Sequence, residues 1–99
     1  MLYMILGRDA EQSLQRRSGA RDAHLARIRA LADDGRLVLA GPLPAIDAED
    51  PGPAGFSGSL IVAEFDSLIS ARDWADGDPY LQCGAWTETE VKPFKQVLP

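Results

Sequence analysis

Leu25, Ile28, Leu31 and Ala32 recur at spacings of three and four, and Gly35, which ends the series, leads straight into the apolar run Arg36-Leu-Val-Leu-Ala40. That spacing lines the four up on one stripe of an α-helix running from about Arg21, and glycine closes it because it enters the left-handed conformation without penalty. Residues 1–7, Met-Leu-Tyr-Met-Ile-Leu-Gly, are almost all apolar and too few for a helix, so they read as a buried strand ending at Gly7. Strand, helix and strand form a crossover. Such a unit is right-handed and leaves its strands parallel in one sheet, adjacent or with another strand between them.

The remaining segments extend that sheet. Arg8 to Gly19 is polar and reads as a loop or a frayed lead-in to the helix, while Gly41-Pro42 breaks the second strand. Residues 43–56 carry Pro44, Pro51 and Pro53 with Gly52 and Gly55, the composition of a surface loop. Ser57 to Phe65 is a third strand, with Leu60 and Val62 on one face and Ile61, Ala63 and Phe65 on the other. Asp66 or Ser67 caps a second helix that carries Leu68, Ala71, Trp74 and Ala75 inward and stops at Gly77. Asp78-Pro79-Tyr80 puts a capping residue before proline at a first helical position, which starts a one-turn helix reaching towards Gly84. Ala85 to Val97 reads as a strand broken at Pro93, whose second half belongs at an edge. The order β-α-β-β-α-β predicts a split βαβ fold of the α+β kind: a four-stranded antiparallel sheet with both helices on one face. The other face is then bare, and a bare apolar face predicts a homodimer packed sheet to sheet.

Ninety-nine residues suit a single domain spanning 1–99. A net charge of -5 argues against nucleic acid as a partner, since such proteins present a basic face. Arg16, Arg17, Arg21 and Arg27 form a local basic patch, read either as a solvated helix face or as a field for a small anion. The single cysteine, Cys83, has no partner for an intramolecular disulfide and fits a small apolar position in a reducing compartment. No basic leader or membrane-length apolar run is present, so a cytoplasmic protein without membrane contact is expected. The acids Asp47, Glu49 and Asp50 lack EF-hand spacing, and neither glycine-rich phosphate loop occurs; the expectation is no metal and no cofactor.

His24, the only histidine, precedes Ile28 by four and Leu31 by seven, in line with the buried stripe. Imidazole ordinarily titrates close to neutrality, so His24 is a candidate general acid or base; its other reading is a satisfied histidine at the edge of the core. Asp78 divides likewise between a plain helix cap and a carboxylate that accepts a hydrogen bond from one imidazole nitrogen, fixing the tautomer. Gly41-Pro42 and Gly58-Ser59 are either turn chemistry or the lining of a small cleft at strand ends, with the Ser59 hydroxyl a candidate substrate contact.

Arg21-x-x-His24-Leu, Gly35-Arg-Leu-x-x-Ala-Gly-Pro42, Gly55-Phe-x-Gly-Ser59, Ala63-Glu-Phe65, Asp78-Pro-Tyr80 and Val91-Lys-Pro-Phe-Lys95 follow in this order over the whole chain. The succession closely resembles the YciI-like family of YCII-related domain proteins. The resemblance implies a ferredoxin-like fold paired into a dimeric α-β barrel, and a cleft centred on a histidine and an aspartate, carried here to His24 and Asp78. Asp33 and Asp34 compete for the second role, but lie nine and ten residues beyond His24 on one helix, more than two turns away. Some relatives resemble dehydrochlorinases of chlorinated aromatic breakdown, which implies cofactor-free proton transfer on small ring compounds. The expectation is therefore a lyase- or isomerase-type enzyme acting on a small, cyclic or aromatic, anionic metabolite. In it His24 transfers the proton, Asp78 orients the ring, and Arg21, Ser59 and Tyr80 place the substrate beside Gly41 and Pro42. The alternative is a non-catalytic ligand-binding or interaction module on the same dimeric fold.

Overall fold

Alternation along the first strand organises the sheet. In the computed structural model, which describes residues 1–99, β1 (Leu2–Asp9) turns Tyr3, Ile5 and Gly7 inward and leaves Leu2, Met4 and Leu6 partly exposed on the opposite face. It is followed by α1 (Leu14–Asp33), β2 (Leu37–Pro44), a short 3₁₀ turn at Gly52–Ala54, β3 (Phe56–Glu64), α2 (Leu68–Asp76), α3 (Pro79–Gln82) and β4 (Trp86–Phe94). The sheet order is β2-β3-β1-β4 with every neighbouring pair antiparallel, so β1 and β2 run parallel with β3 between them. This is the predicted α+β fold. No helix is long and apolar enough to cross a membrane.

Register makes the core. Ile5 stands opposite Ile61 on β3 and Val91 on β4, and Tyr3 stands opposite Ala63, so one apolar row crosses the inner face. Ile28 and Leu31 of α1 and Ala71 and Ala75 of α2 close over that row, together with Phe65, Tyr80, Ala85 and Trp86. Burying the isoleucine, leucine and phenylalanine side chains among them stabilises by roughly 1.5–3 kcal/mol each before entropy is counted. The outer face has no such lid: Leu39 and Leu43 are exposed and Leu6 and Leu60 half-buried.

Several boundaries differ from the sequence reading, each for a local reason. Helix α1 begins at Leu14, not Arg21, because its first turns are buried through Arg17, whose charge is paired with Asp9, and an ion pair leaves no apolar periodicity. Arg17 is therefore not part of a solvated face. Strand β2 passes through Gly41-Pro42 to Pro44. As an edge strand it has one side with no ladder to feed, so a proline lacking its N–H is tolerated. The same holds at the other edge, where β4 runs unbroken through Pro93 opposite Tyr3. The loop accordingly shrinks to 45–55.

Gly7 does not stop β1, which continues to Asp9 with a register shift between Arg8 and Asp9. Its smallness serves packing: a Cβ there would lie 2.3 Å from the Trp86 ring. Gly35 does end a helix, with φ of 71°. Ser67 caps α2 by accepting a hydrogen bond from the Ser70 N–H at 3.0 Å. Leu68, at the first position after that cap, is 46% exposed instead of inward, and the buried positions of α2 are Ala71 and Ala75. Cys83 is exposed, not at the small buried or half-buried apolar position expected of it.

Candidate active site

Two local rules meet at one carboxylate. Asp78 is extended at φ -67°, ψ 130° ahead of Pro79, and its Oδ1 accepts the Tyr80 N–H at 2.9 Å, which caps α3. The same Oδ1 lies 2.8 Å from His24 Nδ1, with Oδ2 at 3.0 Å from that nitrogen. Asp78 is fully buried and His24 is 5% exposed. An ionised carboxylate only accepts, so Nδ1 carries the proton in either charge state of the ring. Nε2, which has no partner in the chain, is then the nitrogen free to exchange one.

Aromatic rings hold the imidazole in place. Tyr80 stacks on it with centroids 3.9 Å apart and planes 10° from parallel, and Trp86 meets it edge-on at 5.5 Å. Burial raises the Tyr80 pKa above its ordinary value, against the pull of Arg17 and Arg21. The Arg17 guanidinium lies 4.9 Å from the Tyr80 ring centroid and 4.8 Å from that of Phe56. Its Nε and Nη2 donate to Asp9 at 2.6 and 2.8 Å, and Nη2 also donates to the Gly58 carbonyl and the Ser59 hydroxyl. Ser13 donates to the same Asp9 carboxylate.

His24 and Tyr80 form one wall of a cavity of about 520 Å³, a size suited to small organic ligands. Arg17, Ser18 and Arg21 line it from α1, Ala40, Gly41 and Pro42 from β2, and Phe56 and Ile61 from β3, with Leu25, Ile28 and Leu37 making it mostly apolar. The structure thus brings Arg21, Gly41, Pro42 and Tyr80 to the same space as His24, with Asp78 behind the ring. Ser59 is different: it is 4% exposed and tied to Arg17, not turned to the cavity. Asp33 and Asp34 are exposed at the far end of α1, and Asp34 lies 3.8 Å from Arg36. No group of three or more His, Cys, Asp or Glu side chains is arranged to hold a metal ion.

Arg17, Phe56 and Trp86 were not among the residues expected at the site. A signal for Arg17 existed, because it precedes His24 by seven residues and so shares the helical stripe. Phe56 and Trp86 reach the site only through strand pairing, which carries no local mark.

The sequence pattern of the YCII-related domain family matches residues 1–95. The chain is 54% identical over 98 residues to protein YciI of Escherichia coli O6:H1, covering 99% of this chain and 100% of the relative. It is 46% identical, with the same coverage, to an uncharacterized protein of Haemophilus influenzae. Among solved structures it superposes on 5-chloro-2-hydroxyhydroquinone dehydrochlorinase from Burkholderia phenoliruptrix AC1100, in complex with 2,5-dihydroxybenzoquinone. The TM-score is 0.82 at 26% identity, over 96% of this chain and 94% of that one.

Proposed function

This chain belongs to the family of YCII-related domain proteins, and on that premise we propose that it is a small cofactor-independent enzyme performing acid-base chemistry on an anionic ring compound. The observation that carries the reading is the buried His24–Asp78 pair, 2.8 Å apart, at the wall of a mostly apolar cavity. In this mechanism His24 Nε2 takes a proton from the substrate, and Asp78 holds Nδ1–H and balances the imidazolium that forms. Arg21 supplies positive field to a substrate oxygen, while Phe56, Leu25 and Pro42 receive the ring. The shared fold with a dehydrochlorinase supports an elimination of this type. Loss of hydrogen chloride removes one proton and one chloride and transfers no net electrons, so a base and a cationic rim meet its needs.

The active unit we infer is a homodimer through the outer sheet face, where Leu6, Leu39, Leu43 and Leu60 lie uncovered, in a cytoplasmic setting. The experiment is twofold. Chloride release from 5-chloro-2-hydroxyhydroquinone is assayed with the wild-type chain and His24→Ala, and binding of 2,5-dihydroxybenzoquinone is followed through the His24 ring resonances. Turnover that falls on the order of 10²–10⁴-fold in the variant is expected. Turnover unchanged in His24→Ala sinks the proton-transfer role. Quinone binding without turnover of any ring substrate favours the binding-module alternative.

A further inference from the structure

Arg27 lies one turn beyond His24 on α1 and reaches the same carboxylate from the other side. Its Nη1 is 3.9 Å from Asp78 Oδ2 and, although buried, has no hydrogen-bond partner. The guanidinium is held elsewhere: Nη2 donates to the Trp74 carbonyl at 2.7 Å, and the guanidinium carbon sits 4.3 Å from the Trp74 ring centroid. Gly77 leaves it room, since a Cβ there would lie 3.3 Å from Nη2. Desolvation lowers the Arg27 pKa, and the Asp78 charge opposes that loss. The Trp74 contacts account for Nη2 and the guanidinium plane, but a buried donor left unpaired costs free energy, so hydrogen bonding does not account for Nη1 facing Asp78. Its charge does.

We infer that Arg27 is a positioning residue that keeps a permanent positive charge beside Asp78, so that the carboxylate is shared between a fixed cation and the switchable imidazole of His24. The inference rests on the acid-base reading and names how that site is set. A guanidinium stays protonated at any working pH, whereas imidazole does not. A carboxylate facing His24 alone would favour the imidazolium and hold the proton. With Arg27 Nη1 at 3.9 Å the charge of the carboxylate is already partly offset when the ring is neutral, so it balances the imidazolium less completely and Nε2 both takes and returns a proton. The ionisable groups around the imidazole are Asp78 and Tyr80 at α3, with Arg17, Arg21 and Arg27 from α1; β4 contributes Trp86 and α2 the Trp74 carbonyl, none of which titrates.

The test follows the His24 ring by NMR across pH in the wild-type chain, Arg27→Gln and Arg27→Lys. Glutamine stays polar and removes the charge; lysine keeps the charge. The His24 midpoint is expected to move up by about one pH unit in Arg27→Gln, the scale of a single close charge, and to return most of the way in Arg27→Lys. A midpoint unmoved in a folded Arg27→Gln chain overturns the inference. The wild-type chain gives an answer independent of any variant: Arg27 guanidinium resonances that titrate with the His24 midpoint support the coupling, and resonances flat through it overturn it. Coupling in a chain with no turnover supports the Arg27 assignment while removing the acid-base reading. Turnover without coupling overturns the assignment and leaves that reading standing.

Discussion

The Tyr80 ring lies face to face with the His24 imidazole, 3.9 Å between centroids, and its phenol is raised above the ordinary value of 10.0 by burial. The unfolded chain therefore releases the Tyr80 proton first as pH rises. Stability contributed by this group is complete below the ordinary value and is lost as pH climbs through it towards the folded value. Urea midpoints measured from about pH 8 to about pH 11 should fall at the alkaline end in the wild-type chain and fall less in Tyr80→Phe, which keeps the stack. Parallel curves for the two chains would refute it.

Asp78→Asn separates capping from charge. Asparagine caps helices about as well as aspartate, so α3 keeps its first hydrogen bond, but the imidazole is no longer held in one tautomer. Turnover should drop on the order of 10²–10⁴-fold, comparable to loss of the orienting carboxylate in other acid-base sites. Thermal unfolding should show a smaller change, about 1.5–3 kcal/mol for a charged hydrogen bond. A stability loss without any effect on turnover would reduce Asp78 to a cap.

The Arg17–Asp9 pair is buried on both sides, with side-chain exposures of 8% and 1%. Removing one member strands the other charge, which typically costs about 3–5 kcal/mol. Asp9→Asn and Arg17→Met should each destabilise on that scale in chemical denaturation, and the double variant by less than their sum. Additive losses would show that the two residues act separately.

Gly7→Ala puts a methyl group against the Trp86 indole, 2.3 Å from ring atoms that themselves brace the His24 imidazole edge-on. Overpacking of this kind costs about 1–3 kcal/mol. Displacement should also appear as a changed Trp emission and as shifted His24 ring resonances in the folded chain. An alanine variant with unaltered spectra would mean the strand yields more easily than its packing implies.

Leu60→Glu places a charge in the middle of the uncovered sheet face without touching the inner core. If that face joins two chains, sedimentation velocity should show a dimer for the wild-type chain and a monomer for the variant, with the far-ultraviolet spectrum unchanged. A wild-type monomer at all concentrations would remove the sheet-to-sheet pairing.

The elements that were legible from residue order are those whose burial is local and apolar. The stripe at Leu25, Ile28 and Leu31 and the alternation in β3 each report their own surroundings, so helix and strand were evident, and with them the sheet topology. Boundaries failed where burial came from elsewhere. The first turns of α1 are buried by a charge pairing with β1, and Gly41-Pro42 continues a strand because β2 happens to be outermost. At the site, His24, Asp78, Arg21 and Tyr80 were named from the chain, whereas Ser59 was expected at the cavity and instead anchors Arg17.

What the sequence by itself determined is the order of elements and the identity of the one side chain that ordinarily titrates near neutrality, since periodicity and residue chemistry are properties of short segments. Only the tertiary structure decided that a helix cap 54 residues away supplies the carboxylate to His24, and that the Arg27 guanidinium stands 3.9 Å from that carboxylate. Charges separated that far along the chain interact through distance and burial alone, and neither is set until the sheet brings α1 and α3 together.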